Sequence, residues 1–139
     1  HGREVAANGL IGEGAYCEGI RDYESAVDFY AACVRAPKTD ADIIYFSLNN
    51  LGFCLNFMRR FEEAEKYLRQ AVQVLPQQYN AWKNLGVSLE WQGQYEEAAE
   101  SYLKAVQLTR GEPRSSMHLH RILRRHPSLQ NIFNRGTHT

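Results

Sequence analysis

The chain has 139 residues, enough for one domain or a short array of repeats and too few for several large domains. Hydrophobic residues make up 44% and charged residues 23%, values that allow a buried core and exclude wholesale disorder. Sixteen basic and sixteen acidic residues cancel, which removes any strong overall attraction to nucleic acid or to an anionic membrane.

The cancellation hides an asymmetry. From Arg110 onward there are six arginines (Arg110, Arg114, Arg121, Arg124, Arg125, Arg135) against the single acid Glu112, so a basic tail follows an acidic body. The three cysteines, Cys17, Cys33 and Cys54, are odd in number and lack Cys-x-x-Cys spacing, which argues against a disulfide scaffold or a thiolate zinc site and for a reduced, cytoplasmic setting. No stretch approaches the roughly 18 to 20 apolar residues that cross a bilayer. The chain starts at His1 without methionine, as an excised domain would.

In chain order, a first unit over about residues 7–40 carries Gly14, Tyr23, Ala26 and Cys33. The corresponding positions return 38 residues later as Gly52, Phe61, Ala64 and Ala71, in a second unit over about 45–78. Four extra residues between them, Pro37 to Asp40, are a loop by composition. The second unit then recurs at a shift of 34 as a third, over about 79–112. Leu48-x-x-Leu51-Gly52-x-x-Leu55 becomes Trp82-x-x-Leu85-Gly86-x-x-Leu89, Phe61 becomes Tyr95, Leu68 becomes Tyr102 and Ala71 becomes Ala105. Within each unit the apolar residues fall at i, i+3, i+4 and i+7 on either side of a break, which predicts two helices joined by a turn. In the third unit that break is Gln92-Gly93-Gln94. Pro76 closes the second unit, and Gly111 with Pro113 the third. The small residues Gly52, Gly86, Ala64, Ala98, Ala71 and Ala105 allow paired helices to approach to roughly 8–10 Å. A capping helix over about 113–126 follows, with Leu119, Ile122 and Leu123 on its apolar side, and then a tail over 127–139 in which Leu129, Ile132 and Phe133 add packing and order ends beyond Gly136.

These residues resemble the tetratricopeptide repeat, a 34-residue helix–turn–helix unit. Trp82, Leu85, Gly86, Ala98, Tyr102 and Ala105 match its pattern, while Leu89 replaces the usual tyrosine and Arg110 the usual closing proline. The first unit departs most, with Glu13 and Cys17 where leucine and tyrosine are usual. The resemblance implies an all-α fold: a right-handed superhelix of antiparallel helix pairs, three repeats and a C-terminal capping helix, forming one domain over 1–139. It also implies a concave groove lined by the first helix of each pair. The residues off the buried stripe are then the peptide-binding candidates: Phe46, Asn49, Asn50, Phe53 and Phe57 in the second repeat, and Asn80, Lys83, Asn84, Val87 and Trp91 in the third.

Asn50 and Asn84 occupy equivalent places, and an amide can both donate to and accept from a peptide backbone. Two such residues would form a short ladder similar to that of the O-linked N-acetylglucosamine transferase superhelix; the alternative is that they are solvated or bond the adjacent helix. Phe53, Phe57 and Trp91 would supply pockets, or else pack between repeats. Repeats that serve heat-shock chaperones grip a C-terminal carboxylate with lysine, arginine and asparagine. Ile11, Ala15, Asn50, Asn80 and Asn84 stand at those five places, and only Asn50 fits.

Arg121, Arg124 and Arg125 form a basic surface on the cap, suited to an acidic segment of a partner or to answering acids of the preceding repeat. Cys54 falls next to the groove, and Cys17 and Cys33 in the core. His118 and His120 lie on different helix faces, and no nucleophile–base pair or phosphate-binding loop is present. The sequence therefore predicts a non-catalytic adaptor or scaffold without a cofactor, binding a peptide or partner helix and neither membrane nor nucleic acid. Its alternatives are a homo-oligomer, an intramolecular docking module, or the targeting arm of a larger enzyme.

Overall fold

The structure, a computed structural model, describes residues 2–110, 113–131 and 134. Gly111, Glu112, Ile132, Phe133 and the segment from Arg135 lie outside the described residues. Seven helices follow one another: α1 (Gly2–Gly19), α2 (Tyr23–Arg35), α3 (Ala41–Phe57), α4 (Phe61–Val74), α5 (Tyr79–Trp91), α6 (Tyr95–Leu108) and α7 (Pro113–Arg125). A single 3-10 turn, Pro127–Leu129, follows, Gln130, Asn131 and Asn134 beyond it are helical, and no strand occurs among the described residues.

Helices pair as α1 with α2, α3 with α4 and α5 with α6, and each pair packs against the next. The pairs are antiparallel: Cys33, late in α2, reaches the Ala7 carbonyl early in α1, whereas Tyr30 reaches back to Glu18. α7 lies against α6 and covers the end of the stack with Leu119, Ile122 and Leu123, all buried. One continuous core runs from Cys17 to Leu123 through Leu51, Leu55, Leu68, Leu85 and Leu89.

Each helical pair crosses at its glycine. A Cβ on Gly14 would lie 2.6 Å from the Tyr30 ring, and one on Gly86 would lie 2.5 Å from the Tyr102 ring. In the middle pair Leu68 takes the place of tyrosine against Gly52. The polar partner changes with it. Tyr30 donates to Glu18 (3.0 Å) and Tyr102 donates to Glu90 (2.7 Å), both buried phenols needing an acceptor. The position equivalent to those acids in the middle repeat is Asn56, which has no phenol to hold. Its amide donates to the Asn84 carbonyl (2.9 Å) and accepts from the Ser88 hydroxyl (2.7 Å), tying the second repeat to the third.

The turns inside the pairs share one geometry. Arg21 and Arg59 sit at φ 64°, where the third repeat has Gly93 at φ 81°. In each case the next residue's N–H donates back to the first helix: Asp22 to Cys17, Arg60 to Leu55 and Gln94 to Leu89. A left-handed conformation costs a non-glycine residue about 1–2 kcal/mol. Arg21→Gly is therefore expected to raise the unfolding free energy by about 0.5–1 kcal/mol, after the greater chain entropy of glycine offsets part of the gain. Urea melts of the two proteins check this; an unchanged or lower midpoint would contradict it.

The four-residue insertion seals both helices it connects. The Lys38 ammonium donates to the Cys33, Val34 and Ala36 carbonyls at 2.6–2.7 Å, closing the end of α2. Asp40 accepts from the Asp42 and Ile43 N–H groups and opens α3. Asp22 caps α2 through Ser25, whose hydrogen bonds hold the Asp22 carboxyl below its usual pKa. No side chain caps α5 at Gln78; the hydroxyl of buried Tyr45 in α3 instead accepts the Ala81 N–H (3.1 Å). The start of one repeat is thus satisfied by the repeat before it.

Candidate peptide-binding groove

The exposed face of α3 carries Phe46, Asn50, Phe53 and Phe57 at helical spacing, with Phe46 51%, Phe53 38% and Phe57 59% exposed. The equivalent positions on α5 are Asn80, Asn84, Val87 and Trp91, of which Asn84 is buried and Trp91 57% exposed, with Lys83 beside them. Between α3, α5 and α7 lies a hollow of about 320 Å³, walled chiefly by Phe53, Phe57, Phe61, Val87 and Trp91. Lys83, Asn84, Asn56, Arg59 and His118 complete its rim. A second hollow of about 450 Å³ continues toward the cap and shares Val87, Trp91 and His118 with the first. Its further wall is Tyr95, Arg121, Arg125 and His126, with Glu90 at its base.

The hollows bring together Phe53, Phe57, Lys83, Asn84, Val87 and Trp91 from the sequence-predicted set. Phe46, Asn49, Asn50 and Asn80 stand outside them. The asparagine ladder requires correction. Asn84 is buried and its amide donates to the side-chain oxygen of Asn49 (3.0 Å), also buried, so the two amides lock α5 to α3. Only Asn50, half-buried, keeps the position on the groove face that the ladder required of both. The reason is packing: where α5 leans on α3, an unpaired amide would lose its hydrogen bonds to water, so the two satisfy one another.

The three cap arginines divide among three environments. Arg121 turns inward and forms an ion pair with Glu90. Arg124 is exposed away from both hollows, and Arg125 stands at the rim of the second. Glu90 thus accepts from the Tyr102 hydroxyl and from the Arg121 guanidinium. Burial, with the Glu90 carboxylate adding to it, raises the Tyr102 pKa well above the usual range. Arg121 also contacts Nδ1 of His118 at 3.1 Å, which suits a neutral imidazole accepting from the guanidinium. His118 stacks on Tyr102 with ring centroids 5.1 Å apart.

His118 has its pKa lowered from 6.5, chiefly by burial and then by Arg121 and Lys83, against the opposing pull of Glu90. A histidine depressed in the folded state contributes stability in full above its unfolded pKa and loses it as pH falls toward the folded value. The stability of the chain is therefore expected to decline as pH drops below about 6.5, and His118→Phe, which keeps the ring stack, to flatten that decline. Equal slopes in denaturant melts from pH 7 to 5 would contradict the assignment.

Sequence reasoning missed Arg59, Phe61, Tyr95 and His126 as groove residues. Phe61 stacks parallel to Trp91 with centroids 5.7 Å apart, and the Arg59 guanidinium lies 4.9 Å from the Trp91 ring. Phe57 stacks on Tyr23 of the preceding repeat at 4.0 Å, and Tyr95 on His126 at 3.8 Å. Phe61 and Tyr95 open the second helices of their pairs, whereas the resemblance implies a groove lined by the first helices. Their signal is proximity to the turn, where the first helix of the next repeat ends. Cys54 is fully buried and does not reach the groove. Burial and then the Glu18 carboxylate raise its pKa to about 12, so the thiol stays protonated and unreactive.

Stacked antiparallel helix pairs with a concave face of first helices define an α-solenoid of the helical-repeat class. Residues 57–113 match the family model described as tetratricopeptide repeat. The seven helices fit three helix–turn–helix repeats of this kind and a capping helix. Solved structures with the same helical fold include the first TPR of Spaghetti (RPAP3) bound to the HSP90 peptide SRMEEVD. That match has 19% identity and a TM-score of 0.77, covering 86% of this chain and 91% of that one. The second TPR domain of human RPAP3, in complex with the HSP70 peptide SGPTIEEVD, aligns at 21% identity and a TM-score of 0.78 over 86% and 97% of the two chains. The Sgt2 TPR domain from Aspergillus fumigatus aligns at 20% identity and 0.78 over 90% and 82%. At these identities the likeness concerns the fold. A search of the curated proteins finds no matching sequence.

Proposed function

We propose that the chain is a protein-interaction module that holds a segment of a partner polypeptide between α3, α5 and α7. The observation that carries this reading is the cluster of Phe53, Phe57 and Trp91, large apolar side chains left between 38% and 59% exposed around a hollow of about 320 Å³. Exposed aromatics gathered at a concavity are the usual anchors of protein recognition. Solved domains of this fold hold the HSP90 and HSP70 peptides named above, which supports a peptide as the guest.

The grip on the guest differs from one built around a C-terminal carboxylate. The carboxylate-gripping positions hold Ile11, Ala15, Asn80 and Asn84 in place of most of their cations and amides, and Asn84 is engaged with Asn49. Anchoring falls to the aromatic rings, with Lys83 at their edge. Three free, buried thiols suit a reducing compartment such as the cytoplasm.

The test is selection of a random 12-residue display library on the intact chain. Enriched peptides are expected to lose about tenfold or more in affinity to Trp91→Ala and to Phe57→Ala, as hot-spot aromatics do. Retained affinity in the double variant, with helicity intact, would remove the groove from consideration. Concentration-dependent dimers by light scattering, blocking selection, would favour self-association in its place.

A further inference from the structure

The geometry points to a composite recognition code: the guest segment carries a bulky apolar side chain for the hollow of Phe53, Phe57 and Trp91, and a carboxylate beside it directed toward α7. This rests on the peptide-binding reading and specifies its ligand.

The two hollows form one trough, since Val87, Trp91 and His118 wall both. Glu90 is the only carboxylate among the residues lining them, and it is 9% exposed, holding the Tyr102 hydroxyl and the Arg121 guanidinium. The negative charge at the base of the trough is therefore already answered from within. The cations on the rim are not. Arg59, Lys83 and Arg125 line the trough, and no ion pair to any of them is found among the described residues. A concave, aromatic-walled surface with uncompensated positive charge concentrates field and favours an anionic partner group. Arg125 stands at the α7 end, beyond the apolar hollow, so the apolar and acidic contacts fall at successive places along the trough.

An acidic polypeptide accounts for these features better than a single-stranded nucleic acid. Nucleic-acid platforms offer open ring faces to the bases. Here Trp91 is stacked on Phe61 with Arg59 over it, and Phe57 is stacked on Tyr23. The rings are engaged with one another and with a guanidinium.

The experiment is the same library selection on the intact chain, read for charge. Enriched peptides are expected to combine a Leu, Phe or Trp with an Asp or Glu within a few residues. Replacing that acid by its amide should weaken binding about 2- to 5-fold, the range of a partly exposed ion pair. On Arg125→Glu, and in milder form on Arg125→Gln, the acidic preference should vanish or invert while the apolar preference persists. Circular dichroism verifies the fold of both variants, and the exposed position of Arg125 makes each tolerable. Apolar enrichment without an acidic preference, or an acidic preference untouched by Arg125→Glu, overturns the code and leaves peptide binding standing. No enriched peptide overturns both readings. Tighter binding of oligo(dT) than of any selected peptide also overturns the code.

Discussion

Gly86→Ala is expected to lower the unfolding free energy by about 2–3 kcal/mol, although it adds a single methyl group. The added carbon would stand 2.5 Å from the Tyr102 ring, and that ring has nowhere to go. One face stacks on His118 and the hydroxyl is tied to Glu90, so the clash must be relieved by shifting α6 against α5. A double-mutant cycle isolates the cause. Tyr102→Ala alone should cost about 3–5 kcal/mol through the cavity it leaves. In that background Gly86→Ala should be nearly neutral, because the obstructing ring is gone. Equal costs in both backgrounds would show that the glycine matters for some reason other than this contact.

The second large effect is expected at Glu90. Glu90→Ala strands the Tyr102 hydroxyl and the Arg121 guanidinium, both drawn to one carboxylate on a buried face, and should cost about 3 kcal/mol. Glu90→Gln retains an acceptor but not the charge, and should cost about half as much. Adding Arg121→Met to Glu90→Gln should recover most of that loss, since two neutral groups no longer demand pairing. Thermal melts of the four proteins would show the order. A Glu90→Ala variant as stable as the parent would mean that the cap is held by Leu119, Ile122 and Leu123 alone.

The helices were legible in the sequence because their signals are local and repeat. Gly52 and Gly86 mark two crossings, and the shift of 34 residues brings Phe61 onto Tyr95, each the first residue of a second helix. The groove was legible in part. A helix presents Phe53, Phe57 and Trp91 outward whatever lies opposite, so periodicity finds them. It cannot say whether a polar residue on the same face meets water or a neighbouring helix, and there Asn49 and Asn84 went astray. Arg121 and Arg125 look alike in the chain, yet one is drawn inward by an acid 31 residues away. Phe61, Tyr95 and His126 entered the site through stacking between one helical pair and the next element, a contact that spacing along one helix does not encode.

The seam after the first repeat has its own consequence. Lys38 and Asp40 finish one helix and begin the next using only residues of the added segment, so neither end depends on the length of what joins them. Lengthening such a joint further costs little in chain entropy. Architecture and periodicity can therefore part company: a ruler of fixed pitch laid along this sequence keeps step through the last two units and loses it before reaching the first.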